Sequence, residues 1–232
     1  MIKKLSLLLF ICILSALNIN AEIYEGSCGE NVSFSLNLET GVLNITGTGD
    51  MTDYYITSNI PWYSQMSKIK SVEISEGVTR IGERTFLNCT SLTNVSMPNS
   101  LTSIGYCAFA GCSALNSVII PNNVTSIGKG GFQNCSGLVS LSIGNSVTAI
   151  GSLAFQNCPL LKEVIIPNSV KSIGNNTFEG CIGLTSIDIP NSVTYIGSGA
   201  FNGCSSITSI NIPNSVYYIG SKTWTKLNRK IK

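Results

Sequence analysis

The 232-residue chain predicts a repeat solenoid, mainly β with short helical or 3₁₀ turns, coiling as a right-handed superhelix. Three observations predict it. An Ile-Gly pair falls at Ile81, Ile104, Ile127, Ile150, Ile173, Ile196 and Ile219, every interval 23 residues with no insertion or deletion. A fixed period of roughly 20–50 residues marks a stack of like coils. Side-chain types repeat in columns at that period, with Phe86, Phe109, Phe132, Phe155, Phe178 and Phe201 in one of them. Composition agrees: 44% of residues are hydrophobic but only 11% charged, against about a quarter in ordinary soluble domains. Ser, Thr and Asn do the solubilising.

Taken in order, the chain starts Met1-Ile2-Lys3-Lys4, followed by the apolar run Leu5 to Ile13 and by Ala21 before Glu22. A basic start, a short apolar region and a small residue describe a signal peptide over residues 1–21. The run is short for a membrane span, which needs ~20 residues, so a membrane-tethering helix is the lesser alternative. Removing Lys3 and Lys4 leaves 12 basic and 12 acidic residues. Broad attraction to nucleic acid or to a membrane surface is therefore not expected. No second apolar run could span a bilayer, and the expected localisation is secreted or cell surface. The charge is uneven: residues 22–83 carry nine acids and three bases, while the last eleven residues hold Lys222, Lys226, Arg229, Lys230 and Lys232.

Residues 22–60 stand outside the repeat. Val32, Phe34, Leu36 and Leu38 alternate with polar residues, as do Leu43 and Ile45, with Glu39-Thr40-Gly41 between. This predicts a β-hairpin acting as an N-terminal β cap over the open end of the solenoid. Residues 61–232 form the solenoid, about seven repeats with the last incomplete. Tyr63 and Trp224 fill the Phe column at its two ends. Val95, Val118, Leu141, Val164, Ile187 and Ile210 lie two residues before Met97, Ile120, Ile143, Ile166, Ile189 and Ile212. Positions two apart share one strand face. Each strand stops at Pro98, Pro121, Pro167, Pro190 or Pro213, because Pro cannot donate to a ladder. Val-x-x-Ile-Gly is a second short strand, and the segment from that Gly to Cys one helical or 3₁₀ turn. Seven rungs at ~4.8 Å make a rod about 35 Å long.

The pattern I-G-x-x-x-F-x-x-C-x-x-L-x-x-V-x-I-P-N-S-V resembles the BspA-type leucine-rich repeat. Gly26-Ser27-Cys28-Gly29, the hairpin and Pro61-Trp62-Tyr63 resemble the segment that often precedes such repeats. The resemblance covers nearly all of the mature chain. It implies a secreted or surface-exposed protein associated with adhesion to host cells, matrix proteins and other microbes. It implies a binding surface rather than an enzyme, and it supplies no catalytic residue.

The residues themselves offer little chemistry. Of eight mature cysteines, Cys89, Cys112, Cys135, Cys158, Cys181 and Cys204 share one column that continues as Met66 before and Leu227 after. Met and Leu cannot bond covalently or bind metal as a thiolate does, so the column reads as apolar packing by free thiols. Disulfides between adjacent rungs are the alternative, since rung spacing is within bonding range. A metal site is not expected: there is no histidine and no C-x-x-C pair. No cofactor is expected either. Gly128-Lys129-Gly130-Gly131 is not a phosphate loop, because Gly128 and Phe132 are repeat positions and no Ser or Thr follows Lys129 in place. Without histidine the commonest general base is missing. Glu163 and Asp188 read as solubilising charges rather than a catalytic pair, and no enzyme is expected. Seven N-x-[ST] sequons, at Asn31, Asn44, Asn88, Asn94, Asn123, Asn134 and Asn175, would matter only in a glycosylating host.

The remaining functional candidate is the outward face of the strand ladder, at Asn94, Ser96, Ser117, Ile119, Ser140, Ser142, Lys162, Glu163, Ile165, Ser186, Asp188, Ser209 and Asn211. Solenoids commonly bind through such an extended face. Ile119, Val139 and Ile165 are apolar where polar residues are the rule, and suit a partner; singly, each could equally be a tolerated exposed aliphatic. A second candidate is Tyr195 and Tyr218, one repeat apart, with Tyr217 beside them. The expected function is adhesion to a protein or glycan ligand on another cell or matrix. A non-binding spacer module and an enzyme accessory domain are the competing classes. Either the basic tail Lys226 to Lys232 caps the rod, or the chain is a fragment of a longer array.

Overall fold

The computed structural model describes residues 22–224. The expected signal peptide, Leu227 and the basic tail from Lys226 lie outside the described residues. The chain winds as a β solenoid with two parallel strand ladders. The first ladder starts antiparallel: β1 (Ile23–Ser27) pairs with β2 (Val32–Asn37), and β2 with β3 (Val42–Gly47). The alternation at Val32, Phe34 and Leu36 buries one side of this hairpin. β3 then pairs in parallel with β5 (Ser71–Ile74), so the hairpin's second strand already serves as a rung. β7 (Asn94–Ser96), β9 (Ser117–Ile119), β11 (Ser140–Ser142), β13 (Glu163–Ile165) and β15 (Ser186–Asp188) continue this face, with β7 and β9 in contact but not paired. Their register is fixed by the period: Ser117, Ser140, Glu163 and Ser186 stand in line, with Val118, Leu141, Val164 and Ile187 beside them pointing into the core.

The second ladder runs from β4 (Gly49–Asp50) through β6 (Val78–Ile81), β8 (Ser103–Ile104), β10 (Ser126–Ile127), β12 (Ala149–Ile150), β14 (Ser172–Ile173) and β16 (Tyr195–Ile196) to β17 (Tyr218–Ile219). The Ile of each Ile-Gly pair from Ile81 to Ile196 is buried here. The following Gly lets coils approach: a Cβ on Gly128 would lie 2.6 Å from the Gly105 carbonyl carbon.

The third side is built from the expected short turns. The segment from Gly to Cys is a set of stacked single turns rather than a continuous helix. Leu87 N–H donates to Arg84 O and Cys89 N–H to Phe86 O, the spacing of a 3₁₀ helix. The intervening N–H groups instead reach the next rung, Phe86 to Ala108 O and Asn88 to Ala110 O, both at 2.8 Å. This alternation needs left-handed backbone, and Asn88, Gly111, Asn134, Asn157, Gly180 and Gly203 all have φ between 57° and 76°. Asn and Gly tolerate that region best. Among the described residues, 3₁₀ helices occur only at Thr57–Asn59 and Tyr63–Lys68, ahead of the regular repeats.

The core is one dry spine. The rings of Phe86, Phe109, Phe132, Phe155, Phe178 and Phe201 stack with centroids 5.0–5.6 Å apart, and Trp224 stacks on Phe201 at 5.1 Å. At the other end the expectation of Tyr63 is corrected. Tyr63 is exposed, and buried Trp62 stacks on Phe86 at 5.6 Å. The physical reason is local. Ala108 O is satisfied by the Phe86 N–H, but Tyr63 N–H is spent within its own turn, on Ile60 O. The Trp62 indole N–H takes its place and donates to Thr85 O at 3.2 Å.

Candidate binding face

Strand pleating positions the first candidate. In β7, β11, β13 and β15 the burial pattern is exposed, buried, exposed, so Asn94, Ser96, Ser140, Ser142, Glu163, Ile165, Ser186 and Asp188 face outward. Ser117 is half-buried beside exposed Ile119, and Lys162 is exposed next to Glu163. Ser209 and Asn211 are also exposed, but the stretch around them forms no strand, so the ladder of this face ends at β15. Register puts Ile119 opposite Ser142, and Ile165 opposite Asp188. Ile119 is 69% exposed and Ile165 78%.

Three adjoining depressions share this face. One lies along Asn94, Ser96, Ser117 and Ile119, and one along Val139, Ser140, Lys162 and Glu163. The largest, about 610 Å³, runs between Ile119 and Ile165 over Ser140 and Ser142, with Asn99 and Asn122 at its turn side. Together they make a shallow groove with two aliphatic knobs, a hydroxyl floor and flanking amides. It is chemically a contact surface for apolar groups and hydrogen-bonding partners. The second candidate lies elsewhere. Tyr195 and Tyr218 stack at 4.7 Å with planes 5° apart on the second ladder, and Tyr217 beside them is 80% exposed. The structure does not bring these tyrosines together with the strand face.

Sequence reasoning missed Asn99, Asn122 and Gly144, which also line the groove. The signal was available at Gly144, which stands where five other repeats have Pro. Its place is tight, since a Cβ would lie 2.2 Å from Pro121 O.

The cysteine column carries no accessible chemistry. All eight described cysteines are free and buried. The Sγ of Cys112, Cys135, Cys158, Cys181 and Cys204 each donate to the carbonyl of a Phe one rung back, at 3.1–3.4 Å. Burial pushes the Cys89 and Cys135 thiols up to about 12. Among the described residues no cluster of side chains could hold a metal ion, and no helix is long and apolar enough to cross a membrane.

With this geometry in view, comparison with known proteins decides the family. The profile described as BspA type leucine rich repeat region matches residues 59–182 and 148–231, in six copies. The chain belongs to the BspA-type leucine-rich repeat family. No curated protein matches it by sequence. Among solved structures, a T. pallidum leucine-rich repeat protein is similar at 24% identity and TM-score 0.64, over 79% of this chain and 91% of that one. A leucine-rich repeat protein from Bacteroides ovatus is similar at 24% identity and TM-score 0.54, over 83% and 60%. The pneumococcal vaccine antigen PcpA is similar at 17% identity and TM-score 0.54, over 87% and 67%. At these identities the three structures speak for the shared fold alone. The BspA-type chain is thus a repeat protein, as the period predicts.

Proposed function

We propose that this BspA-type protein is exported, loses residues 1–21 as a leader, and binds a protein or glycan ligand outside the cell through its strand face. Residues 22–60 then serve as the cap of the first rung. The observation that carries the reading is the exposure of Ile119 and Ile165 over the groove floored by Ser140 and Ser142. Exposed aliphatics grouped on a concave surface favour a partner over solvent. Family membership supports the same reading, and hydroxyls beside Lys162 and Glu163 in the groove favour recognition by shape, hydrogen bonds and local charge. The chain acts as a binding scaffold, not an enzyme. Repeated weak contacts along the rod supply avidity.

The test is binding to a panel of purified matrix proteins and to a glycan array, with the secreted chain and a variant carrying Ile119→Lys, Glu163→Lys and Ile165→Lys. Each substitution is at an exposed position and changes stability by less than about 0.5 kcal/mol. Saturable binding weakened at least ~10-fold, as expected on losing two anchors, supports the proposal. Binding indifferent to the substitutions removes the strand face. Absence of any saturable ligand favours the spacer reading.

A further inference from the structure

The first ladder begins at an edge that no other strand covers. Among the described residues β1 is outermost and pairs only with β2. Leu38 N–H donates to Glu22 O at 2.9 Å. Antiparallel alternation then turns the N–H and C=O of Ile23, Glu25 and Ser27 away from β2. All five residues of β1 are exposed, and a free edge of this kind is a template for an added strand. Its surroundings are acidic, for residues 22–67 hold six acids and no base. Glu22, Glu25 and Glu30 are exposed at or beside the edge.

A segment outside the described residues has complementary charge. Residues 225–232 read Thr-Lys-Leu-Asn-Arg-Lys-Ile-Lys, four bases and no acid. As a strand this segment would set Leu227, Arg229 and Ile231 on one face and Lys226, Asn228, Lys230 and Lys232 on the other. It cannot reach the β1 edge of its own rod. Eight steps separate β1 from β15 along this face, seven between paired strands and one where β7 stacks on β9 unpaired, roughly 38 Å at ~4.8 Å each. Eight residues fully extended span at most ~29 Å.

We propose that residues 225–232 of one copy add as a strand to the β1 edge of a second copy, so that rods associate head to tail. The inference is independent of the ligand-binding reading and rests on removal of residues 1–21. Each contact joins unlike surfaces, so repetition gives an open array rather than a closed pair. Main-chain hydrogen bonds supply affinity, as in other strand additions, and Lys226, Arg229, Lys230 and Lys232 against Glu22, Glu25 and Glu30 set direction.

Sedimentation of the secreted chain tests this. Average mass should rise with concentration at low salt and fall to the monomer at high salt, where exposed charges are screened. Reversing the tail (Lys226→Glu, Arg229→Glu, Lys230→Glu, Lys232→Glu) should weaken association about 10-fold or more. Reversing the edge (Glu22→Lys, Glu25→Lys, Glu30→Lys) should do the same. Mixing the two reversed proteins should restore association, which a misfolded variant could not. A monomer at every concentration, association indifferent to tail charge, or failure of the mixture to recover overturns the proposal. None of these substitutions touches the strand face, so ligand binding reports separately.

Discussion

The thiols of Cys89 and Cys135 are held neutral by burial, at about 12 against an ordinary 9.0. The unfolded chain loses these protons near pH 9 while the folded chain keeps them. Their contribution to stability is therefore complete below about pH 9 and is lost as pH climbs toward 12, by about 1.4 kcal/mol per thiol per pH unit. The urea midpoint should drop between about pH 8 and about pH 10.5, and drop less in a Cys135→Ala variant. A midpoint equally pH-dependent in both proteins would contradict the assignment. The column was legible in the sequence because Met66 extends it, and an apolar side chain in a cysteine column argues for packing. Trp62 was not legible. Counting back one period from Phe86 lands on Tyr63, and only the hydrogen bond from the indole to Thr85 O reveals the residue that fills the place.

Among elements, the stacked turns bear the spine. Phe132 sits between Phe109 and Phe155 at 5.1 and 5.5 Å, fully buried. Phe132→Ala leaves a cavity with rings on both sides that the fixed rung spacing prevents from closing. It should cost about 3–5 kcal/mol, the range for buried aromatics, measured by urea unfolding; a loss below about 1.5 kcal/mol would show that neighbouring coils collapse into the space. Strand positions were legible through their period of two. The single turn on the third side was legible too, but not that its alternate N–H groups reach the next rung rather than their own turn. β1 was illegible for a simpler reason: all five of its residues are exposed, so it carries no hydrophobic alternation. The outward positions of the strand face were legible. Its groove was not, since it depends on a missing side chain at Gly144 beside Pro121.

At the scale of the whole molecule, coils of one length lay like residues over like residues, and each coil's energy comes from its two neighbours. The proposed function follows from the same rule, because a face repeated in register presents its deviations, Ile119, Val139 and Ile165, as exposed aliphatics on successive rungs of a mostly polar sheet. Register is the central claim, and excision tests it most directly. Removing residues 128–150 joins Ile127 to Gly151 and deletes one whole period, so every column stays aligned. Removing residues 128–147 is a smaller loss but shifts every later column by three positions. Thermal unfolding followed by circular dichroism should show the first variant folded and cooperative with a modestly lower Tm, and the second without a cooperative transition. Equal damage from the two excisions would contradict the account.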